Sequence, residues 1–332
     1  MNQKYLRKTG LVVLISVLSM IPPLATDMYM PSLPELTAYY HTTSTLTSFS
    51  MSIFFIFMAV GMLFLGPVSD KYGRKPVLLV SVAATMVFSA LCAWAPTIGW
   101  LLLMRAVQAF GAGGMVTIAT AMIRDSFEGK EMSRIISITQ ALVLLAPMGA
   151  PILGALIIRY SSWKMTFAAL AVLMAVTLAG VLLLTETLPK EKRSAGGIFH
   201  PIMGLARAVR NKRFTALLLA GGLLTSPFMA YLAVASYIYI VDFGISETAF
   251  SLFFAAASAF SLAGPMLYMR IGPAAGRAGV RRRFHRRAAV GRAHARGRPY
   301  QSLRVSAGVH PVRRHVELFS PVRVRAAAVD AE

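Results

Sequence analysis

The sequence predicts an all-α, multi-pass membrane protein, and three observations carry that prediction. Of its 332 residues, 56% are hydrophobic and only 14% charged, far from the balance of a soluble domain. The apolar residues run in unbroken blocks, each near or above the roughly 20 residues a helix needs to cross a hydrocarbon core of about 30 Å. The basic residues between these blocks fall almost entirely on alternate loops, as positive charge does in membrane proteins.

Taken in order, the first segment carries Lys4, Arg7 and Lys8 ahead of an apolar run from Gly10 to Met30, in which Asp27 is the sole charge. A secretory leader has a shorter core and a small-residue cleavage site, so this run reads as the first span. The second, Leu46 to Val68, has no charge. The block from Val77 to Met104 breaks at Ala95-Pro96-Thr97, so a third span ends there and a fourth continues past Arg105 to Ile123. Ile135 to Ile158, Met165 to Thr185, Phe214 to Val241 and Thr248 to Met269 complete eight expected spans. Cys92, the single cysteine, falls within the third and reads as a small packing residue. With the N-terminus in the cytoplasm, the inner segments up to Arg270 hold 17 Lys and Arg, the outer loops only Arg159 and Lys164.

The expected organisation is therefore a six-helix unit over 1–185, a cytoplasmic linker over 186–213, two further spans over 214–272, and a tail over 273–332. That tail changes character near Pro273. It holds 14 arginines and three acids, a net charge of +11, and no Lys, Ile, Met, Asn, Thr, Trp or Cys. Arg, Ala, Gly and Pro have G/C-rich codons, so the tail reads as G/C-rich DNA translated out of frame. A genuine basic tail that meets anionic lipid or nucleic acid is the other reading, although it contains no nucleic-acid-binding motif.

Three motifs stand at the helix ends and inside the spans. "GPVSDKYGRKPVLL", Gly66 to Leu79, joins spans two and three. Gly66 and Gly73 allow a tight turn between close helices, Asp70 suits a helix N-terminus, and Arg74 suits an acid on a neighbouring helix end. Asp125, at the inner end of span four, is the acid expected to pair with Arg74. "RAVQAFGAGG", Arg105 to Gly114, sets Arg105, Gln108 and Ala112 on one helical face, and a charge inside a membrane must face protein or water. Arg105 reads either as part of a proton-coupling pair or as a brace. "APMGAPILGA", Ala146 to Ala155, carries Pro147 and Pro151 one turn apart, with Gly149 and Gly154 offering close approach; it reads as a functional motif or as a plain kink.

The first string resembles the loop 2–3 motif of the major facilitator superfamily, and the second its span-four motif, with Ala109 where Gly is usual. The third resembles the span-five motif of its antiporters, with Ala150 and Ala155 replacing glycines. "TDMYMPSLP", "IRD", "APMGAP", Trp163 to Phe167 and "TETLP" occur in that order. Together they are similar to the bicyclomycin/chloramphenicol-resistance (Bcr/CflA) drug:proton antiporters, over Met1 to about Gly272. The resemblance implies a major facilitator fold, with the whole first six-helix half and two helices of the second. It also implies a cavity between the halves and proton-driven export of lipophilic small molecules across a bacterial inner membrane.

An acid near the end of an apolar run costs free energy unless something uses it. Asp27 lies 17 residues beyond Gly10, about 26 Å along a straight helix, at a depth within roughly 8 Å of Arg105 by the same count. A carboxylate whose solvent and cationic neighbour change is a proton switch; a helix-end acid capping the segment at Pro31 is the plainer reading. Tyr29, Met58, Gln140, Tyr231, Tyr237 and Tyr239 are weaker candidates for the cavity wall. The sequence has no phosphate-binding G-x-x-x-x-G-K-[ST] string, metal-ligand cluster or catalytic triad, so neither an enzyme nor a cofactor is expected. The expected partners are a small-molecule substrate, protons and the bilayer, with no nucleic acid. Two alternatives remain: export of an endogenous metabolite such as a nucleoside or amino-acid derivative, or a frameshifted remnant that does not transport. For the second, the expectation is that Asp70 lacks the helix N-terminus it would otherwise face.

Overall fold

The computed structural model describes residues 6–194 and 199–261. Among them every regular element is helical: α1 (Lys8–Asp27), a 3-10 turn (Met30–Ser32), α2 (Leu33–Tyr39), α3 (Ser44–Tyr72), α4 (Arg74–Ala93), α5 (Ile98–Ser126), α6 (Gly129–Tyr160), α7 (Trp163–Leu183), a 3-10 turn (Lys190–Lys192), α8 (Phe199–Val209), α9 (Lys212–Ser236), a π-helical stretch (Tyr237–Asp242) and α10 (Glu247–Ser261). Seven stretches are long and apolar enough to cross a membrane: Lys8–Tyr39, α3, α4, α5, α6, α7 and Lys212–Asp242. The eighth expected span is represented by α10, an apolar helix of 15 residues; its expected continuation to Met269 lies outside the described residues, as does the tail over 273–332. The expected linker is partly helical, since α8 lies within it.

Helix ends follow local chemistry. Thr43 Oγ1 accepts from Leu46 N, Thr97 Oγ1 from Trp100 N and Asn211 Oδ1 from Arg213 N, capping α3, α5 and α9. Gly73, with φ +105°, ends α3 and starts α4 with no further linker. Inside the spans, hydroxyls turn back onto their own helix: Ser81 to Val77 O, Thr85 to Ser81 O and Ser89 to Thr85 O. With no water in hydrocarbon, that is the economical way to satisfy them.

The first core centres on α5, which is buried along most of its length and packs against α1, α3 and α4. Ile15, Leu18, Phe54, Leu78, Met115, Ile118 and Met174 fill it. A second cluster sits at the C-terminal end of α1, where Tyr29, Leu33, Trp163 and Phe167 meet Leu232, Phe250 and Phe254 of α9 and α10. Leu217, Leu223 and Leu224 of α9 are more than 70% exposed, a costly display in water and a neutral one in hydrocarbon.

Candidate functional site

Asp27 ends α1 and is 4% exposed, so it is not the solvated cap that its helix-end position allows. Pro22 and Pro23 lie in the turn before it and lack N–H groups, which leaves the carbonyls of Leu18 and Ser19 without their helical donors. Thr26 Oγ1 lies 2.8 Å from Asp27 Oδ1 and 3.0 Å from Pro22 O. A hydroxyl has one proton, so it donates either to the carboxylate or to the carbonyl. When Asp27 is protonated, its own O–H has Thr26 Oγ1 as acceptor.

Asp27 and Thr26 open onto a cavity of about 340 Å³. Its wall is otherwise mostly apolar, with Pro22 and Pro23 from α1, Phe55 from α3, and Val143, Leu144 and Pro147 from α6. The α9 and α10 helices close it with Phe228, Tyr231, Leu232, Phe254 and Ser258. Among the described residues, Asp27 is the only charged one in that lining.

Arg105, fully buried on α5, makes no ion pair with Asp27. Its Nη1 donates to Ala25 O at 2.8 Å and to Gln108 Oε1 at 2.9 Å, so it holds a carbonyl in the last turn of α1. Its Nε and Nη2 have no hydrogen-bond acceptor. Aromatic faces surround them instead, with the guanidinium 4.5 Å from the Tyr29 and Phe54 rings and 5.7 Å from that of Phe167. The expected Asp27–Arg105 pair is therefore corrected: Arg105 turns toward the rings and the backbone instead. Gln108, also buried, passes the network on through Nε2 to Ser89 Oγ at 2.7 Å.

At the opposite end of these helices a second cluster forms around Arg74. Its Nε lies 2.8 Å from Asp125 Oδ2, the ion pair that the sequence leads one to expect. Its Nη1 lies 2.5 Å from Asp70 Oδ1 and 2.7 Å from Ser69 Oγ. Asp70 thus has a partner on its own side, four residues along. Glu186, which carried no role in the sequence, accepts from Arg74 N, Lys75 N and Leu188 N at 2.9, 3.2 and 3.0 Å, capping α4 with a charge on its N-terminal dipole. A Cβ on Gly73 would stand 2.5 Å from Glu186 Oε2, so this glycine is fixed twice, by conformation and by space. Gly66 is buried beside Thr117. A "T-E-T" after an apolar span and a basic helix start elsewhere was the signal for Glu186, but only proximity reveals the cap.

The span-five motif divides between faces of α6, which stays helical through both prolines. Pro147 lines the cavity, and Pro151 is buried. At Gly154 a Cβ would fall 1.8 Å from Met28 O, so α1 and α6 touch backbone to backbone there. Gly149 has no atom of the described residues within 4 Å of such a Cβ, contrary to the close approach expected of it. Of the weaker cavity candidates, Tyr231 is in the wall. Tyr29 is buried and bonded to Ser50 Oγ at 2.8 Å, and Met58 packs against the first core. Gln140 is exposed. Tyr237 hydrogen-bonds Thr37 Oγ1 at 2.8 Å, Thr47 Oγ1 and Leu33 O, tying the π-helical stretch to α2 and α3, and Tyr239 packs on Phe250. The cavity-facing Phe228 and Phe254 were not singled out, because nothing local separates them from lipid-facing phenylalanines.

Comparison with known proteins completes this picture. Residues 15–292 match the profile of the Major Facilitator Superfamily, a match that runs past Gly272. The chain is 29% identical over 268 residues to the uncharacterized MFS-type transporter YdgK of Bacillus subtilis, covering 80% of this chain and 67% of that protein. It is 27% identical to a bicyclomycin resistance protein homolog of Haemophilus influenzae, covering 76% and 64% of the two chains. It is also 27% identical to the multidrug resistance protein MdtL of Klebsiella pneumoniae, covering 74% and 62%. The chain thus spans about two thirds of the length of these relatives. Among solved structures, a bacterial homolog of the human lysosomal transporter Spinster superposes with TM-score 0.64 at 15% identity, covering 82% of this chain and 64% of that one. The nucleoside transporter NupG superposes with TM-score 0.61 at 17% identity, covering 79% and 69%. At those identities the likeness speaks for the fold alone.

Proposed function

This chain belongs to the major facilitator superfamily, a family of transporters and not of enzymes, and from that premise we propose that it exports lipophilic drug-like molecules in exchange for protons. The observation that carries the proposal is a buried carboxyl, Asp27, with no ion pair among the described residues, in the wall of a mostly apolar cavity. A cavity of this kind takes apolar cargo by desolvation, and its carboxyl is where a proton or a cationic cargo is held. The proton sits on an Asp27 carboxyl oxygen and is held through Thr26 Oγ1. Arg105 and Gln108 fix the end of α1 on which that carboxyl stands.

In this reading Gly66, Asp70, Gly73, Arg74 and Asp125 form the inner gate, where α3, α4 and α5 meet. The Arg74 pairs hold that end together reversibly as two halves rock about the cavity. The 1–185 region is the first half, 186–213 the linker and 214–272 the start of the second. Of the α6 motif, Pro147 shapes the cavity wall and Gly154 sets α6 against the end of α1. The excess of basic residues on alternate loops supports an N-terminus on the cytoplasmic side of a bacterial inner membrane. The bicyclomycin-resistance and MdtL relatives favour the Bcr/CflA group and drugs as cargo over endogenous metabolites.

The test is dye efflux from a drug-sensitive bacterial host, together with proton flux in inverted vesicles. The parent chain is expected to lower dye accumulation and to release vesicle protons when dye is added. Asp27→Asn is expected to abolish both while its level in the membrane stays within about twofold. Unchanged efflux with unchanged pH dependence in Asp27→Asn, or no efflux by the parent, overturns the reading.

A further inference from the structure

Only Arg210 and Asn211 separate α8 from α9, the helix that opens the membrane-crossing stretch at Lys212. So short a connection cannot take the end of α8 farther than about 10 Å from the start of that span. Upstream, the chain is tied to the end of the bundle that carries the Arg74 cluster, because Ser194 N donates to Asp70 O at 2.9 Å. α8 is therefore held close to the level at which helices leave hydrocarbon.

The composition of α8 suits that level. Positions 202, 205, 206 and 209 are all apolar, the i, i+3, i+4, i+7 spacing of a one-sided apolar stripe. Leu205 and Val209 are 42% and 44% exposed, so the bundle leaves that side of the helix largely uncovered. Arg207, Arg210, Lys212 and Arg213 fall within seven residues, all exposed, with no acid among them. None of the four is in an ion pair among the described residues. Like charges this close repel one another, and a surface of negative charge offsets that cost.

We propose that α8 is an interfacial helix that docks on anionic phospholipid, with its apolar stripe in the acyl boundary and its basic residues on headgroup phosphates. Other surfaces satisfy only half of it. A soluble acidic protein meets the charges and leaves the stripe in water. A neutral lipid surface covers the stripe and leaves the charges unmatched. An anionic leaflet does both, as it does for other basic amphipathic helices. The inference stands apart from the cargo and from proton coupling.

The test uses the full chain in lipid nanodiscs of phosphatidylcholine, with or without phosphatidylglycerol. In a Cys92→Ser background, Leu205→Cys carries an environment-sensitive fluorophore. Two quenchers then read its position: neutral acrylamide from the water, and doxyl groups on the lipid chains. Phosphatidylglycerol is expected to lower acrylamide quenching at least about twofold and to raise doxyl quenching, as insertion of the stripe requires. Raising the salt to about 1 M, where charges are screened within about 3 Å, is expected to reverse both changes. Removing the four charges together, as Arg207→Gln, Arg210→Gln, Lys212→Gln and Arg213→Gln, is expected to make the probe read alike in the two lipids. A matched control removes four exposed charges outside α8, as Lys130→Gln, Arg134→Gln, Lys190→Gln and Lys192→Gln, and is expected to respond like the parent.

No response in the parent, or one that persists at high salt, overturns the proposal. So does an equal response, or an equal loss, in the two charge variants. Protection from acrylamide without doxyl quenching overturns it too, since protein and not lipid would then cover α8. The salt arm needs no charge substitution, so it decides the matter even if the α8 charge variant does not assemble.

Discussion

A guanidinium with no exposure to solvent and no carboxylate on it, such as that of Arg105, has to be paid back in some other way. Here three rings, one backbone carbonyl and one amide do so. Arg105 Nη1 spans α5 and α1, so the residue fixes the turn that carries Thr26 and Asp27. Arg105→Ala is expected to remove about 2 kcal/mol or more, the size of a desolvated cation–π contact before the uncapped carbonyl is counted. Arg105→Lys keeps the charge but loses the planar fork that stacks on Tyr29 and Phe54, and is expected to recover less than half of that. Thermal unfolding of the purified chain in detergent, followed by loss of the monodisperse peak, reads both. A melting point for Arg105→Ala equal to the parent's would remove the residue from this structural role.

At the scale of elements, the two glycines of the α6 motif behave differently although they share a sequence pattern. Gly154 presses on the Met28 carbonyl, whereas Gly149 meets no atom of the described residues. Gly154→Ala is therefore expected to force α1 and α6 apart at a cost of about 1–3 kcal/mol, as overpacking does. Gly149→Ala is expected to be neutral, or stabilising by up to about 1 kcal/mol from helix propensity. Melting points that move equally for the two would contradict the geometry. The α1–α6 contact also decides where Asp27 sits, so Gly154→Ala is expected to lower dye efflux and Gly149→Ala to leave it near the parent's level.

For the molecule as a whole, the arrangement of charge makes a prediction that needs no knowledge of the cargo. In a Cys92→Ser background, Lys71→Cys lies at the end carrying the Arg74 cluster and Lys164→Cys at the other, beside the Tyr39 and Trp163 rings. A membrane-impermeant maleimide added to intact cells is expected to label Lys164→Cys, and Lys71→Cys only after the membrane is opened. The reverse pattern would place the N-terminus outside and put the Arg74 cluster on the outer face.

Much of this architecture was legible in the residues. Hydropathy is a local property, and hydrocarbon admits a chain that buries its own backbone polarity, so long apolar runs had to be helices. The positions of the spans, their order and the buried face of Arg105 and Gln108 follow from that constraint alone. The Arg74–Asp125 pair was legible too, because both residues stand at helix ends where a charge has few partners. What surrounds Asp27 was not. Counting residues gives depth along a helix to several ångströms, but a hydrogen bond is decided within tenths of one, by helix rotation and by rotamer. So the sequence by itself determined an all-helical membrane chain with one acid near the end of its first span and one arginine inside its fourth. Only the tertiary structure turned Arg105 onto three rings and a carbonyl, left Asp27 to Thr26 and the cavity, and brought Tyr231 and Phe254 to the same cavity from more than 200 residues away. The physical reason is that packing sums contacts among helices distant in the chain, and no local pattern records which of their faces will meet.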